Sequence, residues 1–216
     1  MITTSILIIL GLLLVVVLVL MIKAPRGAKQ VAAPEIRPAV AAGPSASDLF
    51  GARPGDVVSI PAAAEDYSDL DFTIDRRSSY AAGGKKWVDL SGEFRDRRVY
   101  LEVQPGPEPE VMGLLGGRKL TLAEIHATED QLADMDAKQN PWLYLEFEGK
   151  RWQYQSSREI AYFENETGPG EGLYRWLFTE QDGKRLLCIE KWEGEPFDVR
   201  LAQRLEPRDI NVYRAA

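Results

Sequence analysis

Reactive and metal-binding side chains are scarce in this chain of 216 residues. It has one cysteine, Cys188, and one histidine, His126. A single cysteine excludes an intrachain disulfide framework, which fits a reducing compartment. His126 and Asp130 are spaced i, i+4, but two ligands do not make a metal site. We interpret His126 as a surface or helix-packing residue and predict no catalytic residue, cofactor or metal.

Charged side chains are absent from the first 22 residues, and residues 6–22 are almost wholly aliphatic. A helix of about 20 residues spans the ~30 Å hydrocarbon layer of a bilayer. We therefore predict a transmembrane anchor at residues 1–23. A cleaved signal peptide, the alternative, has a shorter apolar core preceded by positive charge; here Lys23, Arg26 and Lys29 follow the core. Because basic flanks stay cytoplasmic, we expect a single-pass inner-membrane protein whose soluble domain is cytoplasmic.

The charge balance limits the partners of that soluble domain. Residues 24–47 are rich in proline and alanine without apolar periodicity, so we predict a linker there. Residues 46–216 hold 22 of the 26 basic and 32 of the 33 acidic residues, a net charge of −10. Such a domain is repelled by nucleic-acid phosphates. One basic island is interpreted as solvated strand faces and turns, or as a face for lipid or an acidic partner: Arg76, Arg77, Lys85, Lys86, Arg95, Arg97 and Arg98.

Apolar and polar residues alternate through most of residues 48–216, as is typical of antiparallel strands. Prolines at 105, 107 and 109 interrupt the pattern and define two candidate sub-modules, residues 48–104 and 142–213. Between them, Thr121 and Glu124 have capping-box spacing and Thr128 repeats it, which predicts one or two short helices. Asp182-Gly183 predicts a hairpin. The expected fold is mainly β: an antiparallel barrel or sandwich-like domain, or two related β modules joined by a short helical segment.

Tryptophans are the best candidates for a binding surface. Trp87, Trp152 and Trp176 lie in predicted strands and could form a ligand or partner surface, or pack in the core. Cys188 lies between aliphatic neighbours and is interpreted as a small core residue. The segment from Gly113 to Thr121 lacks the spacing of a nucleotide-binding loop, and we predict a flexible loop leading to a helix cap.

Several segments resemble a known bacterial family. They are Pro54-Gly55-Asp56-Val57-Val58, Lys86-Trp87-Val88-Asp89-Leu90, Val99-Tyr100-Leu101-Glu102-Val103, Tyr174-Arg175-Trp176 and the stretch at 182–192. Together they resemble the domain of unknown function 4178 over residues 49–213. The resemblance implies no established activity and therefore no catalytic residues. It also implies a setting near membrane-associated and membrane-stress proteins.

We therefore expect a non-catalytic module that binds another protein or scaffolds an assembly at the cytoplasmic face of the inner membrane, in an envelope-stress setting. A small-ligand-binding β domain is the first alternative, and an enzyme of unknown type is the second.

Overall fold

The computed structural model describes residues 49–106, 109–181 and 183–215. The predicted anchor (residues 1–23) and linker (residues 24–47) lie outside these ranges. Within them, no helix combines the length and the apolar composition that crossing a membrane requires.

Strands dominate the described residues, with one ten-residue helix, α1 (Glu129–Lys138), between the two halves. The strands of the first half are β1 (Val57–Ile60), β2 (Leu70–Thr73), β3 (Arg76–Ala82), β4 (Lys85–Phe94), β5 (Arg97–Gln104), β6 (Glu110–Leu114) and β7 (Lys119–Leu120). Those of the second half are β8 (Tyr144–Phe147), β9 (Lys150–Phe163), β10 (Glu171–Glu180), β11 (Arg185–Trp192), β12 (Phe197–Leu205) and β13 (Asn211–Tyr213).

Eight of these strands close into an antiparallel barrel. Their order around the barrel is β3-β4-β5-β6-β12-β11-β10-β9, and pairing of β9 with β3 closes the ring. Closure matters because it removes the unpaired backbone groups of sheet edges. Outside the ring, β8 pairs with β9, β7 pairs with β12, and β13-β1-β2 form a separate three-stranded sheet. The prediction of a mainly β, antiparallel fold is confirmed, and of the two predicted forms, barrel or sandwich, the structure has the barrel.

The helical segment forms at only one of its two predicted caps. At Thr128 the side chain accepts a hydrogen bond from the Gln131 backbone N–H at 3.2 Å, and α1 begins at the next residue. At the first cap, the Thr121 N–H donates to Glu124 Oε2 at 2.7 Å, and the Glu124 N–H donates to Thr121 Oγ1 at 3.3 Å. This reciprocal pair of hydrogen bonds stabilises a turn. No α-helix follows it, because residues 122–126 are turn residues.

One local expectation differs from the structure. The predicted flexible loop at 113–121 contains the end of β6 and all of β7. Leu101 pairs with Gly113. Because Gly113 has no side chain, Leu205 and Leu115 pack closely against its backbone. Glycine here allows close packing of a strand.

Two apolar clusters lie on the outside of the barrel. On one side, the outward faces of β4, β5 and β6 pack against the three-stranded sheet, with Leu90, Leu101 and Phe72 among the buried residues. On the other side, the outward faces of β9 to β12 pack against β8 and the helical segment, and Leu132 of α1 is fully buried there. We call these the outer clusters. Since hydrophobic burial is the main favourable contribution to folding, they hold the covering elements on the barrel.

Candidate functional site

Charged side chains face the inside of the barrel. Strand register decides this, because residues directly opposite each other on paired strands share a face. Asp89 is opposite Glu102, and Arg175 is opposite Glu190. These four residues come from β4, β5, β10 and β11, and we call them the charged layer of the lumen. Apolar residues next to them along the strands, such as Val88, point outward into the outer clusters.

Arg175 joins opposite walls of the barrel. Its Nη1 and Nη2 donate to Glu102 Oε2 and Oε1, both at 2.8 Å, and its Nε donates to Glu190 Oε1 at 2.8 Å. The guanidinium carbon lies 4.8 Å from the Tyr80 ring centroid. Trp87 Nε1 also donates to Glu102 Oε2, at 2.9 Å. Burial opposes the charge on Arg175, but Glu102 and Glu190 outweigh it and raise the Arg175 pKa.

Apolar residues lie above and below the charged layer inside the lumen. Trp87, Tyr80, Ile160 and Leu173 form one buried group, and Leu114, Leu186 and Ala202 form another. The charged layer is therefore screened from solvent along the barrel. In such surroundings a charge is costly unless it is paired.

A cavity of about 230 Å³ adjoins the charged layer. Seven of the eight barrel strands contribute to its lining, which consists of Arg76, Tyr80, Asp89, Tyr100, Glu102, Leu114, Tyr162, Glu190, Trp192 and Arg200. Arg200 is held by Asp198, to which its Nε donates at 2.9 Å, and lies over the Tyr100 ring. The cavity therefore offers both charged groups and aromatic faces, the combination found in sites for small polar ligands.

Asp89 is the exception among the acidic groups of this cavity. It is 2 % exposed, and its Oδ1 is buried without a hydrogen-bond partner in the described part of the chain. Burial, and next the neighbouring Glu102 carboxylate, raise the pKa of Asp89 to about 8. Across the cavity lining, Arg76 donates from Nη1 to Glu164 Oε1 at 2.7 Å, but its buried Nε has no acceptor among the described residues.

The predicted tryptophans are not gathered in one place. Trp87 is inside the lumen, 2 % exposed, stacked on Tyr80 at 5.6 Å between ring centroids. Trp152 and Trp176 are in an outer cluster, where their Nε1 atoms donate to the carbonyl oxygens of Phe147 and Leu132, both at 3.1 Å. The structure thus brings Trp87 beside the charged layer and places the other two on the outer side of the barrel.

Other residues singled out from the sequence have plain structural positions. Cys188 is buried in β11, and burial raises the pKa of its thiol. His126 is exposed, with a positive φ of 54°. No group of three or more potential metal ligands occurs in residues 49–106, 109–181 and 183–215. In the basic island, Arg77, Arg95 and Arg98 form ion pairs with nearby carboxylates.

Sequence reasoning missed the charged layer and the position of Arg76. Asp89, Glu102 and Glu190 occupy the polar positions of alternating strands, which look the same whether that face meets solvent or a lumen. The sequence places Arg76 in the basic island, whereas in the structure Arg76 lines the cavity. One signal was present: Trp87 and Tyr80 share a face with Asp89, and large aromatic residues on a charged strand face are unusual for a solvated surface.

The fold and the cavity define a closed eight-stranded barrel with a polar interior site. A family model described as "Domain of unknown function (DUF4178)" matches residues 61–207. The chain belongs to this family, as its sequence motifs indicated. Neither a curated protein nor a solved structure shows significant similarity to it.

Proposed function

We propose that the barrel is a non-catalytic module that binds a small polar molecule in its lumen. The observation that carries the proposal is the cavity of about 230 Å³ lined by Asp89, whose Oδ1 is buried without a hydrogen-bond partner among the described residues. A buried polar group without a hydrogen bond costs about 1–3 kcal/mol. A ligand that supplied the missing hydrogen bond would recover that cost on binding.

The rest of the lumen supports rigid binding. Arg175 connects β10 to β5 and β11 through charge-assisted hydrogen bonds, which are stronger than neutral ones. Because Glu102 and Glu190 are engaged by Arg175, they are poor candidates for proton transfer. Among the described residues, Asp89 is then the one carboxyl of the cavity lining that is not engaged by Arg175, and general acid–base catalysis commonly uses more than one positioned group.

Capture of small molecules tests the proposal. Full-length protein is equilibrated with the low-molecular-weight fraction of a bacterial lysate, and molecules that stay bound are identified by mass spectrometry. Leu114→Phe narrows the cavity, whereas Leu201→Phe makes the same change on β12 at a partly buried residue that packs against an outer cluster. We expect a bound molecule with the wild type and with Leu201→Phe, and its loss with Leu114→Phe. Equal retention by both variants, or no retention by folded wild type, would contradict the proposal.

The membrane attachment is part of the same proposal. The aliphatic residues 6–22, followed by Lys23, Arg26 and Lys29, support an anchor with the barrel in the cytoplasm. A fluorescent protein fused after residue 216 should fluoresce, and alkaline phosphatase fused at the same place should be inactive. The opposite pair of results would reverse the orientation.

A second candidate function is protein binding at β8, as in the scaffold hypothesis. Trp142 is 81 % exposed and Tyr144 is 41 % exposed, and the Arg151 guanidinium lies 4.7 Å from the Tyr144 ring centroid. Tryptophan, tyrosine and arginine are the residue types enriched at the centres of protein interfaces. Crosslinking in cells tests this: Trp142→Ser should remove a specific crosslinked protein, and Tyr213→Ser, at another exposed aromatic residue, should keep it. A crosslinking pattern unchanged by Trp142→Ser would contradict it.

A further inference from the structure

The unpaired polar atoms at the cavity differ in kind. Within the part of the chain that the structure describes, Asp89 presents an Oδ1 that accepts no hydrogen bond, and Arg76 presents an Nε–H without an acceptor. The remaining acidic and basic side chains at the cavity are already paired: Glu102 and Glu190 with Arg175, and Arg200 with Asp198. A ligand that satisfies both unpaired atoms must therefore carry a hydrogen-bond donor and an acceptor.

The surroundings of Asp89 favour a cationic donor. The charged and titratable groups facing this region come from all neighbouring walls: Arg76 and Tyr80 from β3, Tyr100 and Glu102 from β5, Tyr162 from β9, Arg175 from β10, Glu190 from β11 and Arg200 from β12. The single positive charge of Arg175 is shared between the Glu102 and Glu190 carboxylates. It therefore does not fully compensate the negative charge of these two groups, and it does not compensate Asp89. An ammonium group beside Asp89 would stabilise the ionised carboxylate.

The surroundings of Arg76 favour an anionic acceptor. Its guanidinium has one carboxylate partner, Glu164, which is bound through Nη1. A carboxylate accepts readily from the remaining guanidinium N–H groups, because charge-assisted hydrogen bonds to arginine are strong. The rings of Tyr162 and Trp192 also line the cavity, and aromatic faces attract an ammonium group.

We propose that the lumen binds a small zwitterion of amino-acid size, with its ammonium group against Asp89 and its carboxylate on the Arg76 side. This inference rests on the proposed function, since it assigns a ligand class to the same cavity. A zwitterion brings no net charge into the barrel and compensates both unpaired groups. The volume of about 230 Å³ is below the roughly 300–1,000 Å³ of pockets for drug-sized ligands, so a nucleotide is too large.

Calorimetric titration of full-length protein tests the ligand class. The common amino acids are screened first, and the tightest is then compared with its decarboxylated amine and its deaminated acid; for valine these are isobutylamine and isovalerate. We expect the amino acid to bind at least about tenfold more tightly than either analogue, because each analogue leaves one charged group of the cavity unpaired.

Matched variants test the two contacts. Asp89→Asn and Arg76→Gln should each weaken binding of the amino acid by about tenfold or more. Arg77→Gln is the control, because Arg77 is the next residue of β3 but donates to the Phe50 and Ala52 carbonyl oxygens and to Glu166. It should bind like the wild type. Circular dichroism of each variant establishes that it is folded.

The outcomes separate this inference from the proposed function. Equal binding of the amine or the acid, or binding unaffected by Asp89→Asn and Arg76→Gln, would overturn the zwitterion. If no amino acid binds while the cavity retains another molecule that Leu114→Phe expels, the ligand class is wrong and the binding function stands. If ordered water alone occupies the cavity and Leu114→Phe changes no binding, both are wrong.

Discussion

The outer clusters and the lumen divide two tasks between the faces of the same strands. On β4, Leu90 faces outward into an apolar cluster and is fully buried, whereas Asp89 faces inward, equally buried, into a charged layer. Small barrels fill their interior with side chains. Here the three-stranded sheet and α1 bury the outward faces, so much of the apolar packing lies outside the ring. Polar side chains can then occupy the lumen.

Two aspartates show how differently the regions treat the same group. Asp136 on α1 accepts hydrogen bonds from Ser157, Tyr174 and Gln139, and those from Ser157 and Tyr174 are the main reasons that its pKa is lowered. Asp89 Oδ1 in the lumen accepts no hydrogen bond from the described residues, and the pKa of Asp89 is raised to about 8. The outer contact is complete in the protein alone, whereas the lumen leaves a group for something else to satisfy.

Removing Arg175 should cause the largest loss of stability. Arg175→Met leaves Glu102 and Glu190 buried without their cation, and breaking a buried ion pair in this way costs about 3–5 kcal/mol. We expect a fall of about 4 kcal/mol in the free energy of unfolding, measured by urea denaturation. Arg151→Met is the control. It removes an exposed arginine of β9 whose Nε lies 3.9 Å from Glu146 Oε1, and it should change the free energy of unfolding by less than about 1 kcal/mol. If Arg175→Met lost no more stability than Arg151→Met, the charged layer would be dispensable for the stability of the fold.

Truncating the outer cluster should cost somewhat less and leave the lumen intact. Leu132 is fully buried between α1 and the barrel, and leucine-to-alanine changes at such sites cost about 2–5 kcal/mol. We expect about 3 kcal/mol for Leu132→Ala in the same urea measurement. Because the cavity lies on the other face of the strands, the folded variant should retain the ligand captured by the wild type.

A matched change inside the ring sharpens the same test. Leu114→Ala enlarges the cavity that Leu114 lines, so it should weaken ligand retention at a comparable loss of stability. If Leu132→Ala abolished retention to the same degree, the two regions would form one coupled unit and the division of tasks would be wrong.

Local chemistry made much of the fold predictable from the sequence. The hairpin between β10 and β11 and the helix start at Thr128 depend on residues within a few positions of each other, and both form where their patterns predicted them. β6 was missed because Gly113 reads as a loop residue, although close packing against Leu205 is what requires glycine there. That requirement exists only after two distant segments meet.

The candidate site was much less predictable. Alternation shows that Asp89 and Trp87 share a face, but the choice between lumen and solvent depends on ring closure, which joins β3 to β9 and β6 to β12. The partnership of Arg175 with Glu102 spans 73 positions of the chain. Neither charge pattern nor spacing indicates such a contact, so the sequence prediction settled on tryptophans as the only conspicuous residues.

The smallest predicted effect is a pH dependence of opposite sign at the two aspartates. For Asp89 the folded-state pKa of about 8 lies above the unfolded value near 3.9, so the folded protein binds more protons between these values and its stability falls as pH rises. Asp89→Asn removes this contribution. Between pH 6 and 8 we expect the variant to gain on the order of 2 kcal/mol relative to the wild type, measured by urea denaturation at each pH.

Asp136→Asn provides the matched control in the outer region. The folded-state pKa of Asp136 is lowered by its hydrogen bonds, so its contribution to stability is present above the unfolded pKa and is lost as pH falls through the folded one. The variant should therefore be less stable than the wild type throughout pH 5 to 8, with a nearly constant difference that shrinks only in stronger acid. If the free energies of unfolding of the wild type and Asp89→Asn changed in parallel with pH, the Asp89 carboxyl would have a hydrogen-bond partner in the lumen. The contrast between the lumen and the outer region would then be wrong for Asp89.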